Sequence, residues 1–295
     1  MSQIENSISS IDLTDKSVLL RVDFNVPLKG SELLDDERLI RALPTINFIA
    51  ENAKSLKIIS HLGRPEETGL VQDKFSLKPV AKKLAELLGK EVNLVNSLKE
   101  LKSLKNISML ENIRFYKGEK QNEDKLSKAL AETADVFVMD AFGTAHRKQA
   151  STFGVTKFVK EACVGLLVEE ELKALEKIID SPEKPILGII GGSKISTKMK
   201  VLESLTRHVD HLIIGGALAN TCLKALGKNI GKSLYEEDFI ELAKTIIKNK
   251  KILLPSYVVV TKGRDAKLEE KHIDDVEDDD IIFDIGQSSI EDFSQ

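Results

Sequence analysis

The stretch PILGIIGGSKISTK, residues 185–198, decides how the chain is read. The apolar run Ile186–Ile190 predicts a short buried strand. Gly191 and Gly192 end it, and Ser193–Lys198 leads into a helical pattern. Glycines let a backbone approach a ligand closely, and a helix N-terminus offers unpaired N–H groups to an anion. Lys194 and Lys198, four residues apart, would share one helix face. Together these residues suit phosphate. They equally suit a tight turn with solvated lysines, and spacing alone leaves both readings open. The same strand–glycine–helix order recurs at once: strand 211–215 runs into Gly215-Gly216-Ala217. Small residues at two successive strand ends leave room for a bulky, flat ligand such as a nucleotide.

Outward from this stretch, strands and helices alternate along the chain. Strands are expected at 18–24, 56–60, 91–95, 107–110 and 136–139, and helices at 36–52, 77–88 and 123–133. Gly89 reads as the C-cap of the second helix. Residues 95–110 carry closely spaced leucines, but only once, so they read as loop and strand rather than as a repeat. The pattern 166–180, LLVEEELKALEKIID, predicts a long helix, and SPEKP at 181–185 marks a boundary. Beyond the glycine-rich stretch, helices are expected at 196–206, 217–226 and 236–248, and strands at 252–254, 257–260 and 281–285. Such alternation implies an α/β class: two doubly wound parallel-sheet domains joined by a long connecting helix. The divisions are 1–165, 166–182 for the connector, and 183–295. The last residues, 288–295, read as a helix start, so the second domain is expected to be incomplete.

Bulk properties narrow the function classes. A chain of 295 residues that is 42% hydrophobic and 31% charged can bury sizeable cores. No apolar run approaches the roughly 20 residues that span a bilayer. The opening MSQIENSISSIDL lacks a basic segment followed by an apolar one and is not read as a signal peptide. Cys163 and Cys222 stand apart without ligand-like spacing, which fits a reduced, cytoplasmic setting. No residue is assigned as a metal ligand. The net charge of −4 argues against general nucleic-acid binding. Residues 1–160 nevertheless carry 25 Lys/Arg against 22 Asp/Glu, so the first half is the better host for a small anion. The acidic run DDVEDDD at 274–280 reads as a solvated loop.

Ligands of open α/β sheets sit outside the carboxyl ends of the strands. Strand 18–24 delivers Asp23 and Asn25 there. HLGRP delivers His61, Gly63 and Arg64; ENIRF delivers Arg114; and DAFGTAHR delivers Asp140, His146 and Arg147. Arg64, Arg114 and Arg147 would then converge with His61 on one crevice, and arginine forks match phosphate and carboxylate bidentately. Singly, each arginine could be a solvated charge, His61 a structural histidine and Asp23 a loop cap. Two familiar nucleotide motifs fail. No G-x-G-x-x-G follows a strand, and LGKNIGKS at 226–233 has Leu226 where a Walker A loop needs glycine and follows a helix pattern.

Six motifs in order, RVDFNVPL (21–28), SHLGRP (60–65), LENIRFYKGE (110–119), DAFGTAHR (140–147), GGSKISTK (191–198) and GGALANT (215–221), resemble phosphoglycerate kinase. The resemblance spans the chain. It implies glycolytic phosphoryl transfer between 1,3-bisphosphoglycerate and ADP, giving 3-phosphoglycerate and ATP, by hinge closure of two domains. It assigns Asp23, Asn25, Arg38, His61, Arg64, Arg114 and Arg147 to the phosphoglycerate site, with Arg38 also facing the group in transfer. It assigns Lys194 and Lys198 to the nucleotide phosphates, and Gly191, Gly192, Gly215 and Gly216 to the nucleotide pocket. Arg38 and Lys194 become the catalytic pair. Mg²⁺ is implied with the nucleotide, but the aspartate that the family uses for it is not among these residues.

Some positions depart from the family pattern. Thr197 stands where many members carry Asp, Gln149 where many carry His, Ala217 where a third glycine is common, and Gln287 where DIGP is usual. The first two are familiar in bacterial members. The expected protein is a cytoplasmic monomer with impaired catalysis. The alternative is an inactive phosphoglycerate-binding fragment, which would need no Lys194.

Overall fold

A computed structural model describes residues 6–180, 183–263 and 266–295, so the expected boundary at Ser181-Pro182 lies outside the described residues. The chain divides into two compact units, Met1–Leu175 and Glu176–Gln295.

In the first unit, β1 (Ser17–Val22) is followed by a hairpin of β2 (Leu28–Lys29) and β3 (Glu32–Leu33), then α1 (Glu37–Asn52) and β4 (Ser55–Ile59). Next come α2 (Lys78–Leu88), β5 (Asn93–Val95), α3 (Leu98–Ser103), β6 (Ser108–Leu110) and α4 (Asp124–Ala131). The unit continues through β7 (Val136–Asp140), the one-turn α5 (Phe142–Ala145) and β8 (Glu161–Val164), and α6 (Leu166–Asp180) starts in it. Six strands form one parallel sheet in the order β5-β6-β4-β1-β7-β8.

Because side chains alternate along a strand, β1 feeds two cores. Val18, Leu20 and Val22 pack with Leu39, Ile46 and Ile49 of α1 and with Val80 and Leu84 of α2. Leu19 faces the other way, with Leu101 of α3 and with Leu126 and Leu130 of α4. Helices on both faces make the sheet doubly wound. The chain leaves β1 toward β4 on one side and β7 leads to β8 on the other, so the topological switch lies between β1 and β7. At that point Asp140, the last residue of β7, accepts from the Val168 amide at 3.0 Å, and Thr45 Oγ1 accepts from the Leu166 amide at 3.1 Å. These two bonds satisfy first-turn donors of α6.

In the second unit, β9 (Leu187–Ile190), α7 (Met199–His208), β10 (His211–Ile214), α8 (Gly216–Ala225), α9 (Ile240–Ile246) and β11 (Ile252–Leu253) build a parallel sheet ordered β11-β10-β9. Then β12 (Tyr257–Thr261), β13 (Glu269–His272) and β14 (Ile281–Ile285), followed by α10 (Gln287–Phe293), form an antiparallel sheet ordered β13-β12-β14. Leu218 and Cys222 of α8 join the core of the first sheet, and Leu223 joins that of the second.

Several expectations need correction. The stretch 95–110 contains α3, capped by Ser97, whose side chain accepts from the Glu100 amide at 3.2 Å while the Glu100 carboxylate accepts from the Asn96 amide at 3.2 Å. This is close to a capping box, with the reciprocal bond made one residue earlier. β9 is not buried on both faces. Ile190, Leu212 and Ile214 face the helices, while Leu187 and Ile189 on the alternate face are 48% and 71% exposed. The run 274–280 is not wholly solvated: Asp280 is buried and accepts from the Glu277 amide at 2.8 Å and from Lys271 Nζ at 2.9 Å. β8 and β13 carried no sequence expectation. One outcome tests the α3 cap. Ser97→Ala should cost about 1 kcal/mol in urea unfolding, and an unchanged midpoint would show that the cap contributes nothing.

Candidate functional site

The first unit gathers its charged residues at the carboxyl ends of β1, β4, β6 and β7. Past β1, Asp23 forms an ion pair through Oδ2 with Arg38 of α1, and its Oδ1 accepts from the Asn25 amide at 3.2 Å. The Asn25 side-chain oxygen accepts from the Gly63 amide at 2.8 Å, joining the loop after β1 to the loop after β4. Gly63 is required there: its φ is +60°, and a Cβ would lie 2.5 Å from the Phe75 ring. Its carbonyl accepts from Arg114 Nη1 at 2.5 Å. Asn112, buried beside Arg114, donates to the carbonyls of Leu62 at 2.8 Å and Phe75 at 2.9 Å. A side-chain and backbone lattice thus fixes three of the four strand-end loops before any ligand arrives.

Charge in this lattice is unbalanced. Arg21, Arg38, Arg114 and Arg147 all act on His61, and Arg64 and Arg147 act on Arg114. Facing them are Asp23 and Glu119. Burial lowers the Arg114 pKa, and the neighbouring Arg147 lowers it further. His61 responds most. Burial first, then Arg21, Arg114, Arg147 and Arg38, push its pKa from 6.5 to about 2, so the imidazole is neutral. Asp23 Oδ1 lies 3.8 Å from His61 Nδ1 and favours the charged ring, but Arg21 Nη2 lies closer, at 3.1 Å. A donor-only guanidinium at that distance requires an unprotonated Nδ1, and it outweighs the longer ion-pair contact. Beside the cluster a pocket is lined by Asp23, Arg38, Arg41, Asp140, Phe142 and Gly143, at the β1/β7 switch.

The glycine-rich residues meet in the second unit. Gly216 (φ +64°) opens α8, and a Cβ on it would come 3.0 Å from the Gly192 carbonyl oxygen. That carbonyl accepts from the Leu218 amide at 3.1 Å, and Gly215 donates to the Ile190 carbonyl at 2.9 Å. Gly192 and Gly216 are therefore packed backbone against backbone. Buried Ile195 pins the loop between them and α7, and Ser196 donates through its amide and hydroxyl to Glu236 at 2.9 and 2.7 Å. The helix starts at Met199, so Lys194 and Lys198 do not share a helix face. Lys198 is the N-cap residue and Lys194 precedes it in the loop, because Ile195 and Ser196 are committed to the core and to Glu236. An apolar slot begins at Gly216 and Ala217 and continues along Asn220, Leu234, Pro255 and residues 281–285.

The chain as a whole has counterparts in known proteins. The family model described as phosphoglycerate kinase matches residues 8–295. The chain is 46% identical over 286 residues to phosphoglycerate kinase of Vibrio campbellii, covering 96% of this chain and 74% of that protein. It is 47% identical over 292 residues to that of Francisella philomiragia, with the same coverages. The solved structure of phosphoglycerate kinase from Coxiella burnetii superposes with a TM-score of 0.80 at 44% identity, over 98% of this chain and 76% of that one. The chain belongs to the phosphoglycerate kinase family. It is thereby a member of a phosphotransferase family of glycolysis, and it spans about three quarters of the length of these relatives.

For this kinase-family chain, sequence reasoning missed Arg21, Glu119 and Ser151 beneath the arginine cluster, and the apolar wall of the slot. Arg21 had a signal, as the one charge inside the strand run VLLRV. Residues 281–285 had none beyond strand pattern. The rejected Walker-like stretch 226–233 lies after α8 and packs on the acidic run: Lys228 pairs with Asp274, and the Lys232 amide donates to the Asp280 carbonyl at 2.7 Å.

His61 gives the site a pH signature. The folded pKa lies below the unfolded one, so between 6.5 and about 2 the unfolded chain binds the extra proton. The stability tied to neutral His61 is complete above pH 6.5 and declines as pH falls below it. Relative to His61→Gln, the parent chain should lose up to about 1.4 kcal/mol per pH unit in acid. Denaturant unfolding of both proteins across that range checks this, and parallel pH profiles would contradict it.

Proposed function

We propose that residues 1–165 bind 3-phosphoglycerate or 1,3-bisphosphoglycerate and that residues 183–295 bind ADP or ATP, with 166–182 as connector. The observation that carries this reading is the arginine cluster around a neutral histidine, fixed in place by the Asn25–Gly63–Arg114 lattice. In this reading Asp23, Asn25, Arg38, His61, Arg64, Arg114 and Arg147 hold the phosphoglycerate. A carboxylate and phosphate entering the cluster relieve repulsion among the arginines, and neutral His61 offers a donor without adding charge. Gly191, Gly192, Gly215 and Gly216 admit the nucleotide, whose base suits the apolar slot, and Lys194 and Lys198 face its phosphates.

Phosphoryl transfer needs positioning and charge neutralisation more than covalent chemistry. Arg38 and Lys194 supply these at the group in flight. Each unit holds one substrate, so transfer requires the two to meet, a movement that the family resemblance assigns to hinge closure at the connector. Members of the family use the nucleotide with Mg²⁺. Among the described residues, the one grouping of carboxylates with converging oxygens is Glu277, Asp279 and Asp280, and Lys262 and Lys271 already pair with it. Neutralised in this way, that grouping does not fit the role. The reading includes a monomer in the cytoplasm; no helix among the described residues is long and apolar enough to cross a membrane.

Calorimetric titration separates the two half-sites. Arg38→Ala should weaken 3-phosphoglycerate binding by about 10- to 100-fold, the range for one charged hydrogen-bonding group, and leave ADP binding intact. Lys194→Ala should do the reverse. Loss of both ligands in either variant, or of neither, would contradict the assignment. In a coupled ATP assay the purified 295-residue polypeptide is expected to turn over weakly while calorimetry still shows phosphoglycerate binding, because the magnesium aspartate that the family resemblance implies is not among these residues. Full turnover would refute this.

A further inference from the structure

Beneath the arginine cluster lies a chain of groups that the reading above does not use. Arg21, Glu119 and Ser151 are each 0% exposed, although two of them are ionisable. A buried guanidinium needs an opposite charge and full hydrogen bonding. Arg21 Nε donates to Ser151 Oγ at 3.1 Å, and Ser151 Oγ donates to Glu119 Oε1 at 2.6 Å. The Ser151 amide donates to Glu119 Oε2 at 3.0 Å, and the Ala150 amide donates to the Glu119 carbonyl at 3.0 Å, so both partners are fixed to one short segment. Arg21 Nη1 donates to the Val22 carbonyl. With Nε and Nη1 committed, the guanidinium plane is set, and Nη2 reaches His61 Nδ1 at 3.1 Å.

We propose that Glu119, Ser151 and Arg21 are positioning residues that lock His61 in the tautomer with its proton on Nε2. Arginine has donors only, so the nitrogen it faces must accept. The ring proton is then confined to the far nitrogen, which becomes a fixed donor for an anionic ligand. The lock holds against Asp23, whose Oδ1 is 3.8 Å from Nδ1, because Arg21 Nη2 is nearer at 3.1 Å and Asp23 Oδ1 already accepts from the Asn25 amide at 3.2 Å. The charged groups facing His61 are Arg21 and Asp23 from β1 and its loop, Arg38 from α1, Arg114 from the turn after β6, and Arg147 from the segment after α5. Four of the five disfavour a second proton on the ring. The consequence for ligand affinity rests on the phosphoglycerate reading above; the tautomer itself does not.

Long-range ¹H–¹⁵N correlation spectra of the ¹⁵N-labelled 295-residue protein test the proposal, with the His61 signals assigned by their loss in His61→Gln. The expected spectrum shows the Nε2-protonated pattern, unchanged from neutrality to about pH 5, where an ordinary histidine would be charged. In Ser151→Ala the single pattern should give way to mixed tautomers. Binding of 3-phosphoglycerate should weaken about tenfold, as for one charged hydrogen bond. Ser151→Thr, which restores a hydroxyl, should recover both. A parent spectrum with the proton on Nδ1, or with ordinary titration, would overturn the proposal. So would a folded Ser151→Ala protein with unchanged tautomer. If the parent chain shows the locked tautomer but no affinity for 3-phosphoglycerate, the lock stands and the substrate reading fails.

Discussion

Like charges crowd together at the carboxyl ends of four parallel strands, and much of the first unit is arranged to hold them there. Arg21, Arg38, Arg64, Arg114 and Arg147 would separate in a free chain. The sheet brings them together because β1, β4, β6 and β7 run parallel and end at one edge. The cores on both faces of that sheet supply the favourable burial against which the repulsion is set. Two acids temper it: Asp23 at the surface with Arg38, and Glu119 in the interior, reaching Arg21 through Ser151. What is left is a preorganised excess of positive charge. Under the proposed function, that excess is what a small, multiply charged anion would meet.

The second unit solves a different problem with different residues. Its glycine pairs carry no charge, and their value is the space that they leave. Gly192 and Gly216 approach so closely that a side chain at 216 would strike the backbone of its neighbour. The backbone at Gly216 and Ala217 also borders an apolar slot whose far wall comes from β14, far along the chain. Under the proposed function, the arginine forks of one unit would hold an anion, and the open backbone beside apolar surface in the other would take a flatter ligand.

The sequence showed much of this. Strand-end motifs such as HLGRP and DAFGTAHR were legible because their charges follow short apolar runs, and the order of those runs implied a parallel sheet. Other features were hidden for physical reasons. α3 looked like loop because six residues give too little periodicity, although Ser97 and Glu100 held its cap signal. Lys194 and Lys198 seemed to share a helix face because sequence cannot show that Ile195 is drawn into the core and delays the helix to Met199. β9 looked buried because an apolar run does not say which of its faces is covered.

The residues alone determined the α/β class, the family and the set of charges available at the strand ends, since each follows from local patterns and ordered motifs. Only the tertiary structure decided what those charges do to one another. Arg21, Ser151 and Glu119 are separated by up to 130 positions in the chain, and their contact exists only once the strands are paired. The protonation state of His61 depends on burial and on arginines from four separate segments. Such properties depend on distance and desolvation, and both are fixed when the sheet closes over its core.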